Sequence, residues 1–199
     1  MSYAIIGFGN VGHALAKAFA RNNIPVSVAS RHDPASFASE ARAIGPEVQA
    51  TTLDEAVKAD VIFLAVRFED HPEVAMRLPD WQGKTIVDMT NAYGVSPADL
   101  GGLLSSQFLA KAFNGARLVK GFNHLVAQTL GQDPAVHGGR RVVFLSSDDD
   151  DAATDVGALA AKLGFAPIEI GGLAEGGALV HARGNSWGRL IFKDLVSFA

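Results

Sequence analysis

Cysteine is missing from all 199 residues. That excludes a disulfide framework, a thiolate-held metal and a thiol nucleophile. Charge is sparse, at 19% of residues, and the formal net charge is −4, which argues against a broad nucleic-acid-binding face. Residues 1–6 have no basic stretch before the first apolar run, so no secretion signal is expected. No apolar run approaches the ~18 residues of a membrane span. Tyrosine occurs only at Tyr3 and Tyr93. There is no Tyr-x-x-x-Lys pair to supply a proton beside a hydride donor. HExxH and G-x-S-x-G are absent too, which removes the short-motif signatures of zinc proteases and of α/β-hydrolases. What remains is a cytoplasmic chain by expectation, without nucleic-acid or membrane partners.

Apolar residues and glycine are plentiful, at 48% of residues and 21 glycines. Such a chain can build a sizeable core and many tight turns. Short apolar runs alternate with segments of helical period. Runs at 3–6, 26–30, 48–51, 60–66, 85–90, 116–122, 141–147 and 166–170 read as eight strands. Helical spacing appears from Val11 to Arg21, from a cap at Asp33 to about Ala43, and over 71–78, 99–113 and 148–164. In the fourth of these, Leu103, Leu104, Phe108 and Leu109 are expected to point inward. Strand–helix alternation predicts an α/β fold: a doubly wound, Rossmann-type parallel sheet of about eight strands with a small C-terminal extension. Residues 1–199 read as a single dinucleotide-binding domain, with 165–199 as an acceptor-site or dimer segment.

Gly7-Phe8-Gly9-Asn10-Val11-Gly12 is a G-x-G-x-x-G placed between the first strand and the first helix. Gly7 permits the tight turn, Gly9 lets a pyrophosphate approach the backbone, and Gly12 lets the helix pack on the sheet. Phe8, Asn10 and Val11 belong to the same loop. Orphan N–H groups at the helix start suit phosphate. The second strand ends Ser30-Arg31-His32, with no acid until Asp33, which is better used as a helix cap. A ribose 2′-hydroxyl would call for an acid there. A 2′-phosphate calls for a planar cation and a hydroxyl, which Arg31 and Ser30 supply, with His32 beside them. NADP(H) is therefore expected rather than NAD(H).

Substrates in open α/β sheets sit beyond the carboxyl ends of the strands. Those ends carry Ala65, Val66 and Arg67, then Thr90 and Asn91, then Asn123 and His124. Ala65 and Val66 leave room for ribose and nicotinamide. Asn123 and His124 are candidates to face the ring, with His124 as a candidate proton donor. Asn91 and Asn123 also suit loop backbone bonding. The acidic run Asp148–Asp151 reads as a helix cap with favourable dipole contacts, not a metal site. The loop from Gly171 to Gly177, with two glycine pairs, suggests close backbone approach to a flat ring or to another subunit. The tail, from Trp187 to Phe198, would cover the core or form a dimer surface.

The stretches "IIGFGNVGHALA", "VASR", "IFLAV", "DMTNA", "VKGFNHL" and "IGGLAEGGALV" together resemble a known family. It is the NADP oxidoreductases of the deazaflavin-dependent NADP reductase type, with the ferric-reductase oxidoreductase domain as a relative. The resemblance covers most of the chain in order. It implies NADP on the glycine loop, with Ser30 and Arg31 on its 2′-phosphate. It also implies a second ring stacked on the nicotinamide near Asn123, His124, Leu125, Gly172 and Leu173.

The leading expectation is an NADPH-dependent oxidoreductase that transfers hydride to a small-molecule acceptor: a deazaflavin, a flavin or a quinone-like ring. A homodimer belongs to the same expectation. Two other functions fit the residues: a non-catalytic NADP(H)-binding or redox-sensing module, and a small carbonyl or imine reductase with His124 or Tyr93 as acid.

Overall fold

The structure is a computed structural model and describes residues 1–181 and 194–198. The first half is built from β1 (Tyr3–Ile6), α1 (Asn10–Arg21), β2 (Val26–Ala29), α2 (Pro34–Ile44), β3 (Val48–Ala50), α3 (Leu53–Ala56), β4 (Val61–Leu64) and α4 (His71–Ala75). The second half adds β5 (Thr85–Asp88), α5 (Ser105–Ala112), β6 (Arg117–Gly121), α6 (Ala127–Leu130), β7 (Ala135–Val136), β8 (Gly139–Ser147), α7 (Asp150–Lys162), β9 (Ala166–Glu169), α8 (Gly176–Val180) and β10 (Val196–Ser197). One sheet runs in the order β10-β8-β6-β5-β4-β1-β2-β3, with β7 and β9 also paired to β8. All eight expected strands are present, and β7 and β10, two residues each, complete the set among the described residues.

The strands are apolar on both sides because both sides are covered. Ile5, Phe63, Val87 and Val119 pack with Leu15 and Phe19 of α1 and Val156 and Leu159 of α7. Their neighbours Ile6, Ile62, Leu64, Ile86 and Leu118 point the other way, onto Trp81, Leu109 and Phe113. Period two along each strand thus divides the apolar residues between two cores.

Three sequence expectations change. The sheet is mixed, because β8 pairs antiparallel with β6. A parallel return is usually made through a crossover helix that runs back along the sheet. Between β6 and β8 the chain has only the four-residue α6 and the two-residue β7. The helix expected over 99–113 begins at Ser105, with Leu104 as its N-cap, and Leu103 and Leu104 are only partly buried. Glycines at 101 and 102, with φ of 60° and 77°, break any earlier start. In the tail, Trp187, Leu190, Ile191 and Phe192 lie outside the described residues, while Val196 and Ser197 form β10 against β8.

The antiparallel pairing sets the height of β8. Gly121, the last residue of β6, stands opposite Leu145. Residues 139–144 therefore run on past the end of β6, for roughly 20 Å at strand rise. β9 lies alongside this overhang, with Val142 opposite Ala166. Val142, Phe144, Ala166 and Val180 form its own small core. The overhang is a wall beside the carboxyl ends of β5 and β6.

Candidate functional site

A cleft of about 560 Å³ opens at the carboxyl ends of β1, β2 and β4. Its floor is Ile6, Gly7, Phe8 and Gly9, and its far side carries Ser30, Arg31 and His32. Ala65, Val66 and Arg67 close it from β4. Nine of the residues expected from sequence to hold the cofactor therefore meet around one space.

The glycines have separable jobs. Gly7 has φ 105°, and a side chain there would strike the Ala65 carbonyl of the neighbouring strand exit. A Cβ at Gly12 would collide with the Gly7 carbonyl, so Gly12 sets how closely α1 approaches the loop. Gly9 differs: nothing lies within 4 Å of a Cβ built there. The space above Gly9 is open, and the start of α1 faces it. α1 has no side-chain cap and no acid in its first turn. By contrast, Asp33 accepts the Ala35 N–H at 2.8 Å to cap α2, and Asp149 accepts the Ala152 N–H at 2.7 Å to cap α7. The uncapped N–H groups and the helix dipole of α1 suit an anion.

Charges around the cleft are unequal in freedom. Arg67 is paired with Glu69 at 3.3 Å and Asp70 at 3.2 Å, and those acids hold its guanidinium above its ordinary pKa. Glu40, on the α2 side, lies 3.1 Å from His13. No such pairing occupies Arg31 among the described residues, and it is exposed at the rim. Ser30 Oγ accepts the His32 backbone N–H at 3.1 Å, which leaves its own hydrogen to donate. Phe8 is fixed between His13 and Phe37, with ring centroids at 4.1 and 5.4 Å.

Ser36, Phe37, Glu40, Leu53, Asp70, Glu73 and Val74 also line the cleft and were not anticipated. Ser36 follows the Asp33-Pro34 start signal and could have been found from it. Leu53 and Val74 sit on short helices, where nothing local marks a ligand wall.

The other expected residues lie apart from this cleft. Asn10 and Val11 sit in the first turn of α1. Asn91 and Asn123 bind each other across the ends of β5 and β6. Asn91 Nδ2 donates to the Asn123 carbonyl at 3.0 Å, and Asn123 Nδ2 donates to Asn91 Oδ1 at 3.1 Å and the Val180 carbonyl at 2.7 Å. Below them Asp88 and Lys120 form a sealed ion pair at 3.0 Å. Thr90 and Ser106 also donate to the Asp88 carboxylate. Burial alone would raise the Asp88 pKa, but Lys120 and these donors outweigh it and hold the carboxyl below its ordinary range.

Between that ion pair and Asn123 stands Phe122, with φ 61°. A bulky residue in the left-handed region is strained. Packing against Phe63 and Phe165, each at 5.9 Å, holds it there. His124 is buried against Phe144 at 5.1 Å and lies 3.2 Å from the Val142 carbonyl through Nε2. Burial pushes its pKa down to about 4, so it is neutral at pH 7. Leu125 and Leu173 are buried. The glycine loop closes on its own chain: Ser146 Oγ donates to the Gly172 carbonyl at 2.7 Å, and the Leu173 N–H donates to Asp148 at 2.8 Å. A Cβ at Gly176 would meet the Ile170 carbonyl, so there the close neighbour is the loop's own backbone.

A mostly parallel sheet wound this way, with a glycine turn between its first strand and first helix, is of the Rossmann type. Residues 2–92 match the family described as NADP oxidoreductase, coenzyme F420-dependent. It is 38% identical to the hypothetical protein SMa0349 of Sinorhizobium meliloti, whose crystal structure matches with a TM-score of 0.90 over 99% of this chain and 96% of that one. A candidate F420-dependent NADP-reductase of Arthrobacter sp. FB24 is 24% identical and shares the fold, with a TM-score of 0.72 over 94% of this chain and 98% of that chain. Metalloreductase STEAP3 of Rattus norvegicus is 29% identical over 176 residues, which is 85% of this chain and 34% of the rat protein. The chain thus spans about a third of the length of the curated relatives it matches. No described helix is long and apolar enough to cross a membrane.

Proposed function

We propose that the chain binds NADPH in the cleft and passes hydride to a flat acceptor ring, a deazaflavin, flavin or quinone-like compound. The observation that carries this reading is the pairing of open space above Gly9 with an unpaired Arg31 across the same cleft. Arg31 and Ser30 would hold the 2′-phosphate, with His32 at the rim. Gly7, Phe8, Gly9, Asn10 and Val11 would carry the pyrophosphate on backbone N–H groups. Ala65, Val66 and Arg67 would line the path to the ends of β5 and β6, where Asn91 stands. The nicotinamide, when bound, supplies the hydride.

The protein's own task is then to orient two rings and keep water out. Asn123, His124, Leu125, Gly172 and Leu173 would back the acceptor's side, below the β8 overhang. His124 is enclosed and neutral, which weighs against it as the acid of a carbonyl or imine reductase. Transfer between stacked rings needs no such acid. A homodimer and the extent of the acceptor segment, 165–199, remain part of this proposal.

The test is NADPH oxidation followed at 340 nm against a deazaflavin, flavins and quinones, with NADH as the control nucleotide. Turnover with one acceptor class and a strong preference for NADPH supports the reading. Tight NADPH binding without turnover on any acceptor favours a non-catalytic binding module. Equal binding of both nucleotides overturns the role given to Arg31.

A further inference from the structure

The side-chain oxygen of Asn123 is buried and has no hydrogen-bond partner. Its identity as oxygen is forced by its surroundings. The other amide atom faces the Val180 carbonyl at 2.7 Å, and a carbonyl can only accept, so that atom is nitrogen. Asn91 is fixed in the same way, because its Nδ2 donates to the Asn123 carbonyl. Neither amide can flip without placing oxygen against oxygen. The unpaired atom is therefore an acceptor, held in one direction, on a residue only 9% exposed. A buried acceptor without a donor is costly, and native proteins rarely leave one.

The place is equally specific. β1, β4, β5 and β6 are consecutive in the sheet, so their ends form one ledge from Gly9 through Ala65 to Asn91 and Asn123. Strained Phe122 turns the chain at the end of that ledge. The sealed Asp88–Lys120 pair anchors Thr90 beneath it through the Asp88 carboxylate and the Thr90 carbonyl. A dinucleotide lying along the ledge from Gly9 would bring its nicotinamide half toward Asn123. The donors it carries there are the carboxamide N–H groups and the ribose hydroxyls.

We infer that Asn123 Oδ1 accepts a hydrogen bond from the nicotinamide carboxamide, and that the reciprocal pair with Asn91 exists to aim it. This rests on the NADPH reading above and adds a positioning residue to it. A ring held by its carboxamide cannot spin about its glycosidic bond, so one face stays turned to the acceptor.

The experiment is equilibrium binding of three probes: NADP+, its 3-acetylpyridine analogue, which lacks the amide N–H, and adenosine 2′,5′-bisphosphate. The unaltered chain should bind NADP+ about three- to tenfold more tightly than the acetyl analogue, the worth of one neutral hydrogen bond. Asn123→Ala should bring that ratio close to one and leave the bisphosphate affinity unchanged. An unchanged ratio in the variant assigns the donor elsewhere, to a ribose hydroxyl or to water, and overturns the inference. Should Asn123→Ala fail to fold, the unaltered chain with carboxamide-15N NADP+ gives the answer. One of the two amide protons should move downfield and exchange slowly on binding, and two unshifted protons overturn the inference. If the bisphosphate itself does not bind, the NADPH reading falls first and this inference with it.

Discussion

Lys120 Nζ sits 3.0 Å from Asp88 Oδ2, and both side chains are sealed from solvent. The pair joins neighbouring strands at the ledge, and its carboxylate also receives Thr90 and Ser106. Removing one partner leaves the other charge buried and uncompensated. Asp88→Asn or Lys120→Met should each cost about 3–5 kcal/mol in urea unfolding. The double replacement should cost clearly less than the sum, because the two residues act as one unit. Additive losses would show that the pair is not coupled.

Gly9 and Gly12 should separate binding from stability. A methyl at position 9 has open space and an ordinary backbone, with φ −91°, but it occupies the proposed phosphate cradle. Gly9→Ala should keep the melting temperature and weaken NADPH binding at least tenfold. A methyl at position 12 meets the Gly7 carbonyl. Gly12→Ala should lower the melting temperature before any ligand is added. Thermal melts and titrations of the two variants check both halves.

In the proposed function Arg31 would carry the nucleotide preference. A charge-assisted hydrogen bond contributes ~1.5–3 kcal/mol, so Arg31→Ala should weaken NADPH binding by roughly ten- to a hundredfold. NADH affinity should change little, since it has no 2′-phosphate to lose. Isothermal titration with both nucleotides decides it, and parallel losses would move the 2′-phosphate away from Arg31.

His124 predicts a pH dependence of stability. Its folded pKa is about 4, below the ordinary 6.5. Between those values the unfolded chain binds a proton that the folded chain refuses, so stability rises with pH. The contribution is complete above pH 6.5 and is lost as pH falls toward 4, by about 3 kcal/mol in all. Denaturant midpoints measured across pH 4–7 should show that slope, and His124→Gln should flatten it. A slope that survives the substitution belongs to another group.

The sequence made most of the cleft's lining visible because its signals are local. Glycine spacing, a strand before it and a helix after it identify the loop, and Ser30-Arg31 stands at a fixed place on the next strand end. Asp33 and Asp149 cap the helices as their positions suggest. The ledge was only half legible. Asn91 and Asn123 are 32 residues apart, and their mutual bonds depend on β5 and β6 being neighbours. His124 reads as a candidate acid until burial is known, and burial comes from Phe144 and Val142 on a strand whose direction local periodicity does not report. Leu53 and Val74 enter the cleft for the same reason: only tertiary packing brings them there.

The raised end of β8 has a consequence for how the molecule breathes. Gly139 and Arg140 are held by two-residue partners, β7 and β10, while Leu145 to Ser147 are held by β6 in the body of the sheet. Amide protons along this one strand should therefore exchange on two schedules, the upper ones through small local openings and the lower ones only with global unfolding. The wall could then loosen while the β1–β5 half of the sheet stays folded.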